Sequence, residues 1–252
     1  MRKSIKEIKL ELESASEQEL QELLDTYQTD ERKGVQNLIQ KIDREQEKLD
    51  AEKIRLEGMK QFERKYSTYS SICGIDEAGR GPLAGPVVAG AVILPKDCTI
   101  LYLNDSKQVS ASRRNLLFEE IKEKAVSYGV GIVSPERIDE INILQATYEA
   151  MHQAIDNMDV SPDILLVDAV TIPNIPIKQV GIVKGDAKSV SIAAASILAK
   201  VTRDRLMEEY DTIFPEYGFA GHKGYGSAAH IEAIKKYGPC PIHRKTFIKN
   251  FI

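Results

Sequence analysis

The sequence predicts an α/β fold, a mixed sheet flanked by helices, preceded by an all-α extension. Three observations carry that expectation. Residues 1–68 are nearly devoid of Gly and Pro and repeat their apolar positions with helical period; short apolar runs that stop at acidic residues begin after Ser70; and from Pro135 onward apolar runs alternate with long amphipathic segments.

The extension opens its first clear helix at Ser16, which with Glu19 forms a capping box and sets Leu20, Leu23 and Leu24 inward. Val35, Ile42, Leu49 and Leu56 then recur every seven residues, with Leu38 and Met59 at companion positions and Glu45 and Glu52 interrupting them. A half-apolar seam of this kind suits a helical hairpin packed on itself or on the next domain. A partner-binding or duplex-binding arm is the alternative, weakened for duplex binding by mixed charge without a basic excess. The expected division is therefore a helical extension over 1–68 and a second domain over 70–252 that folds alone.

In the second part, residues 72–75 read as a strand stopping at Asp76, and 87–94 as a strand ended by Pro95. Ser110 caps a helix through Ala125 with Leu116, Leu117 and Ile121 on one face, and 130–133 suggests a third strand. Helical sequence runs from Pro135 to about Met158. Residues 163–167 form a buried strand ending at Asp168, and 180–183 another, leading into Lys184-Gly185-Asp186. In the long helix that follows, Ile192, Ala195, Leu198, Ala199 and Leu206 mark the packed face, and the alanines at 193–195 permit close approach to the sheet.

A chain of 252 residues with 42% hydrophobic and 29% charged residues buries a core of enzyme size, and no stretch approaches the ~18 consecutive apolar residues of a membrane span. Charges break up the apolar positions of the N-terminus, which lacks the apolar core of a secretory signal, so a cytoplasmic protein is expected, and a monomer is the expected state. Cys73, Cys98 and Cys240 include no C-x-x-C pair, and His152, His222, His230 and His243 have no spacing that sets two on one helical face. Any metal is therefore expected on oxygen ligands. A net charge of −4 speaks against a nucleic-acid partner, yet from Gly221 onward Lys223, Lys235, Lys236, Arg244, Lys245 and Lys249 face Glu232 alone.

Asp76 and Glu77 stand ahead of Ala78-Gly79-Arg80-Gly81-Pro82, a turn whose glycines allow close ligand approach. Because side chains alternate along a strand, both acids serve one site only if the strand ends near Asp76, or if Glu77 uses its carbonyl. Alone, the pair suits a structural turn as well as a ligand site. Asp168 and Asp186 also follow strands, at the carboxyl ends where open α/β sheets bind ligands. Four carboxylates without histidine or thiolate suit Mg²⁺ or Mn²⁺, and a pair of such ions activates water and stabilises the leaving oxygen in phosphodiester cleavage. Unrelated strand-end turns are the alternative. Asp204, between Arg203 and Arg205, is read as locally ion-paired, and Asp105 is left outside the ligand set.

The segments CGIDEAGRGPLAGPVVAGAVIL, LNDSK, ILLVDA, VKGDAKSVSIAAASILAKVTRD and YGFAGHKGYGS, in this order, resemble the type 2 ribonuclease H family, ribonuclease HII, over about residues 71–251. The resemblance implies a ribonuclease H-like fold and a nuclease that cuts the RNA strand of RNA·DNA hybrids and cuts 5′ of single ribonucleotides in duplex DNA. It implies 3′-hydroxyl and 5′-phosphate products, Mn²⁺ or Mg²⁺ as cofactor, and Asp76, Glu77, Asp168 and Asp186 as catalytic metal ligands. It further implies that Gly79, Arg80 and Gly81 contact the ribonucleotide's 2′-hydroxyl, and that Tyr225 resembles the tyrosine that packs on the next deoxynucleotide's sugar. Ser227 stands where many relatives have Thr, keeping the hydroxyl. Lys107, Lys184 and Lys188 lie in these motifs as candidate phosphate contacts. Against this stand a non-catalytic hybrid-binding protein, disfavoured because acids facing phosphates weaken simple binding, and another ribonuclease H-like nuclease such as a junction resolvase or integrase.

Overall fold

The computed structural model describes residues 3–251 and divides into two compact units, Met1–Arg55 and Leu56–Ile252. The first contains α1 (Ile5–Ser14), α2 (Glu17–Tyr27) and most of α3 (Lys33–Met59). Ser16 and Glu19 form the expected capping box, and Ser4 with Glu7 forms a second one that opens α1. Ile8, Leu12, Val35 and Ile39 are its buried centre, with Leu20, Leu23 and Leu24 packed against them. The seven-residue seam of α3 is buried at its ends, at Val35 and Leu56, and only partly at Ile42 and Leu49. Among the described residues nothing between Ile39 and Glu52 is buried, because this stretch belongs to neither core.

Leu56 and Met59 belong to the core of the second unit, so the end of α3 and α4 (Gln61–Lys65) pack with the sheet, ahead of the compositional change at residue 70. The sheet comprises β1 (Ile72–Ala78), β2 (Val87–Ile93), β3 (Ser127–Val133), β4 (Ile164–Asp168) and β5 (Lys178–Ile182) in the order β3-β2-β1-β4-β5. β1–β3 form an antiparallel meander, whereas β4 and β5 run parallel to β1. The chain reaches β4 through a helical crossover, as parallel pairing commonly requires, and reaches β5 through the irregular segment 169–177.

α5 (Ala111–Lys124), capped by Ser110, and α7 (Val190–Ile213) cover one face, and α6 (Pro135–Asp156) covers the other. α7 lies so close that a Cβ on Gly74 would meet the Ser191 carbonyl carbon at 2.0 Å, which explains small residues on both surfaces. Met207, rather than Leu206, ends its buried stripe. α6 is not one continuous helix: Asn142 sits at φ 68°, and its Oδ1 accepts the Leu144 and Gln145 amides, restarting the helix as an internal cap. Beyond α7 the chain forms α8 (Phe219–His222), α9 (Ala228–Tyr237) and α10 (Lys245–Ile248), and Ser227 caps α9 through the His230 amide. No helix among the described residues is long and apolar enough to cross a membrane.

Candidate active site

The two halves of the sheet meet at β1, and the ladders there have different lengths. The parallel ladder to β4 stops at Ile75↔Val167, while the antiparallel ladder to β2 continues to Ala78. Continuing the parallel register by one residue sets Asp76 beside Asp168. The strand does not end at Asp76, as side-chain alternation alone would require, yet both acids line one cleft, because the sheet has opened on the β4 side. That cleft, of about 440 Å³, is also lined by Asp168, Asp186, the 78–81 turn, Ser106, Lys107, Ser196, Lys200 and Tyr225.

Asp76 is 5% exposed, and its Oδ1 accepts the Glu77 amide at 2.7 Å. Burial, and then the charge of Glu77, pushes its carboxyl well above the usual carboxylate range, against a hydrogen bond from Ser196. Burial also raises Glu77, opposed by Arg80, whose guanidinium lies 3.4 Å from Glu77 Oε1. Asp186, on the short 3₁₀ turn Gly185–Ala187 after β5, is raised by burial and by Asp105 and Asp168. Asp168 Oδ1 accepts the Gly185 amide at 2.7 Å, tying the β4 end to that turn. Lys107 draws on both Glu77 and Asp186.

Among the described residues, no three His, Cys, Asp or Glu side chains converge on one metal-binding point. The donor set is nonetheless that of a hard divalent cation, all carboxylate oxygen, strained by its own charge and relieved by added positive charge.

At the rim, Gly79 and Gly81 have different surroundings. Gly79 has φ +97°, and a Cβ there would meet Arg203 Nε at 2.1 Å; a Cβ on Gly81 would meet nothing within 4 Å. Only the second has open space on that side. Tyr225 is 43% exposed and lines the cleft, whereas His222 is packed, stacked on His230 at 4.4 Å. Below Tyr225 runs a directional chain. The amide and thiol of Cys240 meet His243 Nδ1 at 3.0 Å, His243 Nε2 meets His230 Nε2 at 3.0 Å, and His230 Nδ1 lies 2.8 Å from the Tyr225 carbonyl. A carbonyl only accepts, so His230 carries its proton on Nδ1 and His243 on Nε2, and every link is then satisfied with both rings neutral.

Ser106, Ser196 and Lys200 also line the cleft, and the sequence does not single them out, since a serine in a turn or a serine or lysine on a helix face carries no signal of what it will meet. The expected phosphate contacts separate: Lys107 lines the cleft, but Lys184 and Lys188 do not, and the Lys188 ammonium donates to the Val183 carbonyl. Asp204 is paired, though not with its neighbours in sequence; Lys200 lies at 2.6 Å and Arg114 at 3.8 Å. The basic C-terminal tally overstates free charge, because Arg244 is fully buried and Lys223 pairs with Glu208.

A family model described as ribonuclease HII matches residues 73–250, and one described as ribonuclease HII N-terminal domain matches residues 4–67. The ribonuclease HII of Lachnoclostridium phytofermentans is 62% identical over 246 residues, covering 98% of this chain and 97% of that protein. That of Clostridioides difficile is 55% identical over 252 residues, covering 99% of each. Among solved structures, ribonuclease H2 of Pyrococcus horikoshii OT3 aligns with a TM-score of 0.59 at 31% identity, covering 72% of this chain and 96% of that one. Ribonuclease HII of Archaeoglobus fulgidus, solved as a PCNA:RNase HII complex, gives 0.58 at 29% identity, covering 71% and 96%.

Proposed function

The chain belongs to the ribonuclease HII family, and from that premise we propose that it cuts the RNA strand of RNA·DNA hybrids and cuts 5′ of single ribonucleotides in duplex DNA. The products are 3′-hydroxyl and 5′-phosphate ends. The observation that supports this reading above others is the shared cleft, which joins the four carboxylates to the Gly79-Arg80-Gly81 turn and Tyr225.

Asp76, Glu77, Asp168 and Asp186 are proposed to hold two Mg²⁺ or Mn²⁺ ions, which when bound supply water activation and stabilisation of the leaving oxygen. The Glu77 and Gly185 amides fix the carboxyl groups of Asp76 and Asp168, so these donors keep their orientation as substrate enters. Gly81 lets the backbone approach the ribose 2′-hydroxyl, Tyr225 packs on the following sugar, and Arg80 and Lys107 balance phosphate charge. Lys184 and Lys188, outside the cleft lining, are left to flanking phosphates. The chain is proposed to act as a monomer, and the cytoplasm is the compartment proposed for it.

The direct test is cleavage of a duplex with one embedded ribonucleotide in Mg²⁺, in Mn²⁺ and in EDTA. Cutting with either ion and none in EDTA is expected. Cleavage that persists in EDTA, or none with either ion, overturns the proposal.

A further inference from the structure

Arg203, on α7, and Arg244, just ahead of α10, are both 0% exposed. Among the described residues, every hydrogen bond their guanidinium groups make goes to a main-chain carbonyl. Arg203 donates from Nε to Pro86 at 2.9 Å, from Nη2 to Ala84 at 3.0 Å and from Nη1 to Lys223 at 2.9 Å. Arg244 donates from Nε to Gly85 at 3.0 Å, from Nη1 to Arg80 at 2.9 Å, and from Nη2 to Gly79 at 2.5 Å and Gly85 at 2.9 Å. A buried charge is costly, and neither of these lies in an ion pair with a carboxylate among the described residues. Burial, and then the charge of Arg203, brings Arg244 down to about 9. A core that needed only volume at these positions would be served as well by apolar side chains.

The carbonyls they hold belong to two loops, 79–86 and the one preceding Tyr225. These loops have little regular structure to hold them: Gly79, Gly85 and Gly224 all have positive φ, at +97°, +87° and +82°. Each is joined to the other by few main-chain bonds, Leu83 donating to Gly224 at 2.8 Å, while the Arg244 amide donates to Leu83 at 2.9 Å. The guanidinium forks supply the remaining geometry, because one planar group with several fixed donors sets the separation and orientation of every carbonyl it binds.

We propose that Arg203 and Arg244 are positioning residues for ribonucleotide selection, two buried forks that preorganise the Gly79-Arg80-Gly81 turn and the Tyr225 loop against each other. The proposal rests on the assignment of that turn and that tyrosine to the ribonucleotide. Neither arginine touches substrate. Their effect is on where the reading groups stand before substrate arrives, and a displacement of about 1 Å there costs up to roughly 100-fold in rate. A continuous hybrid presents a 2′-hydroxyl at every step and tolerates a shifted turn, whereas a lone ribonucleotide offers one register.

The test uses the full chain with Arg244→Lys and Arg203→Lys, which keep the charge but lose the fork, and Arg244→Gln, a neutral donor that avoids burying an unpaired charge should the lysine variants not fold. Thermal melts establish that the variants are folded at the assay temperature. Kinetics are then read on a single-ribonucleotide duplex and on a continuous hybrid, Mn²⁺ affinity by calorimetry, and hydrogen exchange of segments 79–86 and 222–227 by mass spectrometry. Single-ribonucleotide cleavage is expected to fall roughly 10- to 100-fold relative to hybrid cleavage, with Mn²⁺ affinity held and exchange raised in those two segments. Parallel loss on both substrates, or unchanged exchange in the two segments of a folded variant, overturns the proposal. If the wild type itself ignores the lone ribonucleotide, the functional reading fails instead, and the exchange measurement still decides whether the forks hold the loops.

Discussion

The floor of the cleft and its rim are held in place by different means. On the floor, Asp76, Glu77 and Asp168 sit on paired strands and Asp186 on the turn that follows β5, so main-chain ladders, with the Gly185 amide bond to Asp168, fix their spacing. At the rim, the 79–86 turn and the Tyr225 loop take their shape from side-chain donors reaching in from α7 and the C-terminal segment. A ladder is robust to single substitutions, while a loop held by two guanidinium groups and a chain of histidines is not. Substitutions on the floor should therefore remove chemistry and leave the fold, and substitutions around the rim should alter selection or stability first.

The largest effect is expected from Asp76→Asn or Asp186→Asn, which should lower cleavage by at least roughly 10³-fold with the protein still folded. Removing one of four mutually repelling charges should leave the metal-free melting temperature equal or higher. Near wild-type rates with Mg²⁺ and Mn²⁺ in purified variants would remove these acids from the site.

The start of the second unit, like the rim, is held by side chains. Glu63 Oε1 accepts from the Ser189 hydroxyl and the Ser191 amide at the head of α7, and Phe62, Tyr66 and Tyr69 pack on the parallel half of the sheet. A chain over 56–252 is expected to unfold cooperatively. One over 70–252 should lose about 4 kcal/mol relative to it, from buried Leu56 and Met59 and the missing cap. Equal denaturation midpoints for the two would show that the domain over 70–252 is self-sufficient.

Burial and the nearby His230 bring His243 down to about 4, so below pH 6.5 the unfolded chain binds the proton that the folded one refuses. Stability from this residue is full above pH 6.5 and is lost as pH falls towards 4, by up to about 3 kcal/mol. The groups facing it are His230, Cys240 and the Tyr217 ring, with His222 behind His230. Chemical denaturation of wild type and His243→Asn between pH 7 and pH 4 reads the difference. Curves that stay parallel across that range would show that His243 does not titrate in this way.

A smaller change is expected at the exposed rim. Arg80→Ala should reduce single-ribonucleotide cleavage by about tenfold while calorimetric Mn²⁺ affinity stays near wild type, since its guanidinium lies beside Glu77 and its proposed role is to balance substrate phosphates. Unaltered cleavage in that variant would leave selection to Gly81 and the backbone.

The contrast between floor and rim also decides what is legible in the sequence. Apolar runs halted by Asp76 and Asp168, and a third that ends just before Lys184-Gly185-Asp186, point to the carboxyl side of the sheet, so these acids can be picked out in the sequence, although β1 itself continues past Asp76 to Ala78. Capping signals are local too: Ser16 and Ser110 each precede a recognisable amphipathic run, whereas Ser227 caps a helix of only ten residues whose period is easily missed. The break at Asn142 is hidden because its side chain caps a helix that periodicity reads as continuous. Arg203 and Arg244 look like ordinary surface charges, since nothing nearby in the chain says that their partners are main-chain carbonyls, most of them more than 100 residues away. The histidines are a similar case: His230 and His243 have no ligand spacing, yet tertiary structure brings their rings together.

The most direct test of the selection mechanism is to map the cut on a duplex carrying one ribonucleotide, beside a matched all-DNA duplex, using wild type and Asp186→Asn. A site built around a ribose hydroxyl leaves its polar groups unpaired on DNA, which predicts discrimination of up to about 10⁴- to 10⁵-fold. Wild type is expected to make a single cut on the 5′ side of the ribonucleotide, leaving a 3′-hydroxyl and a 5′-phosphate, and to leave the DNA duplex whole, while the variant yields no product. Comparable cutting of the all-DNA duplex, or cleavage by Asp186→Asn at the wild-type rate, would contradict this mechanism.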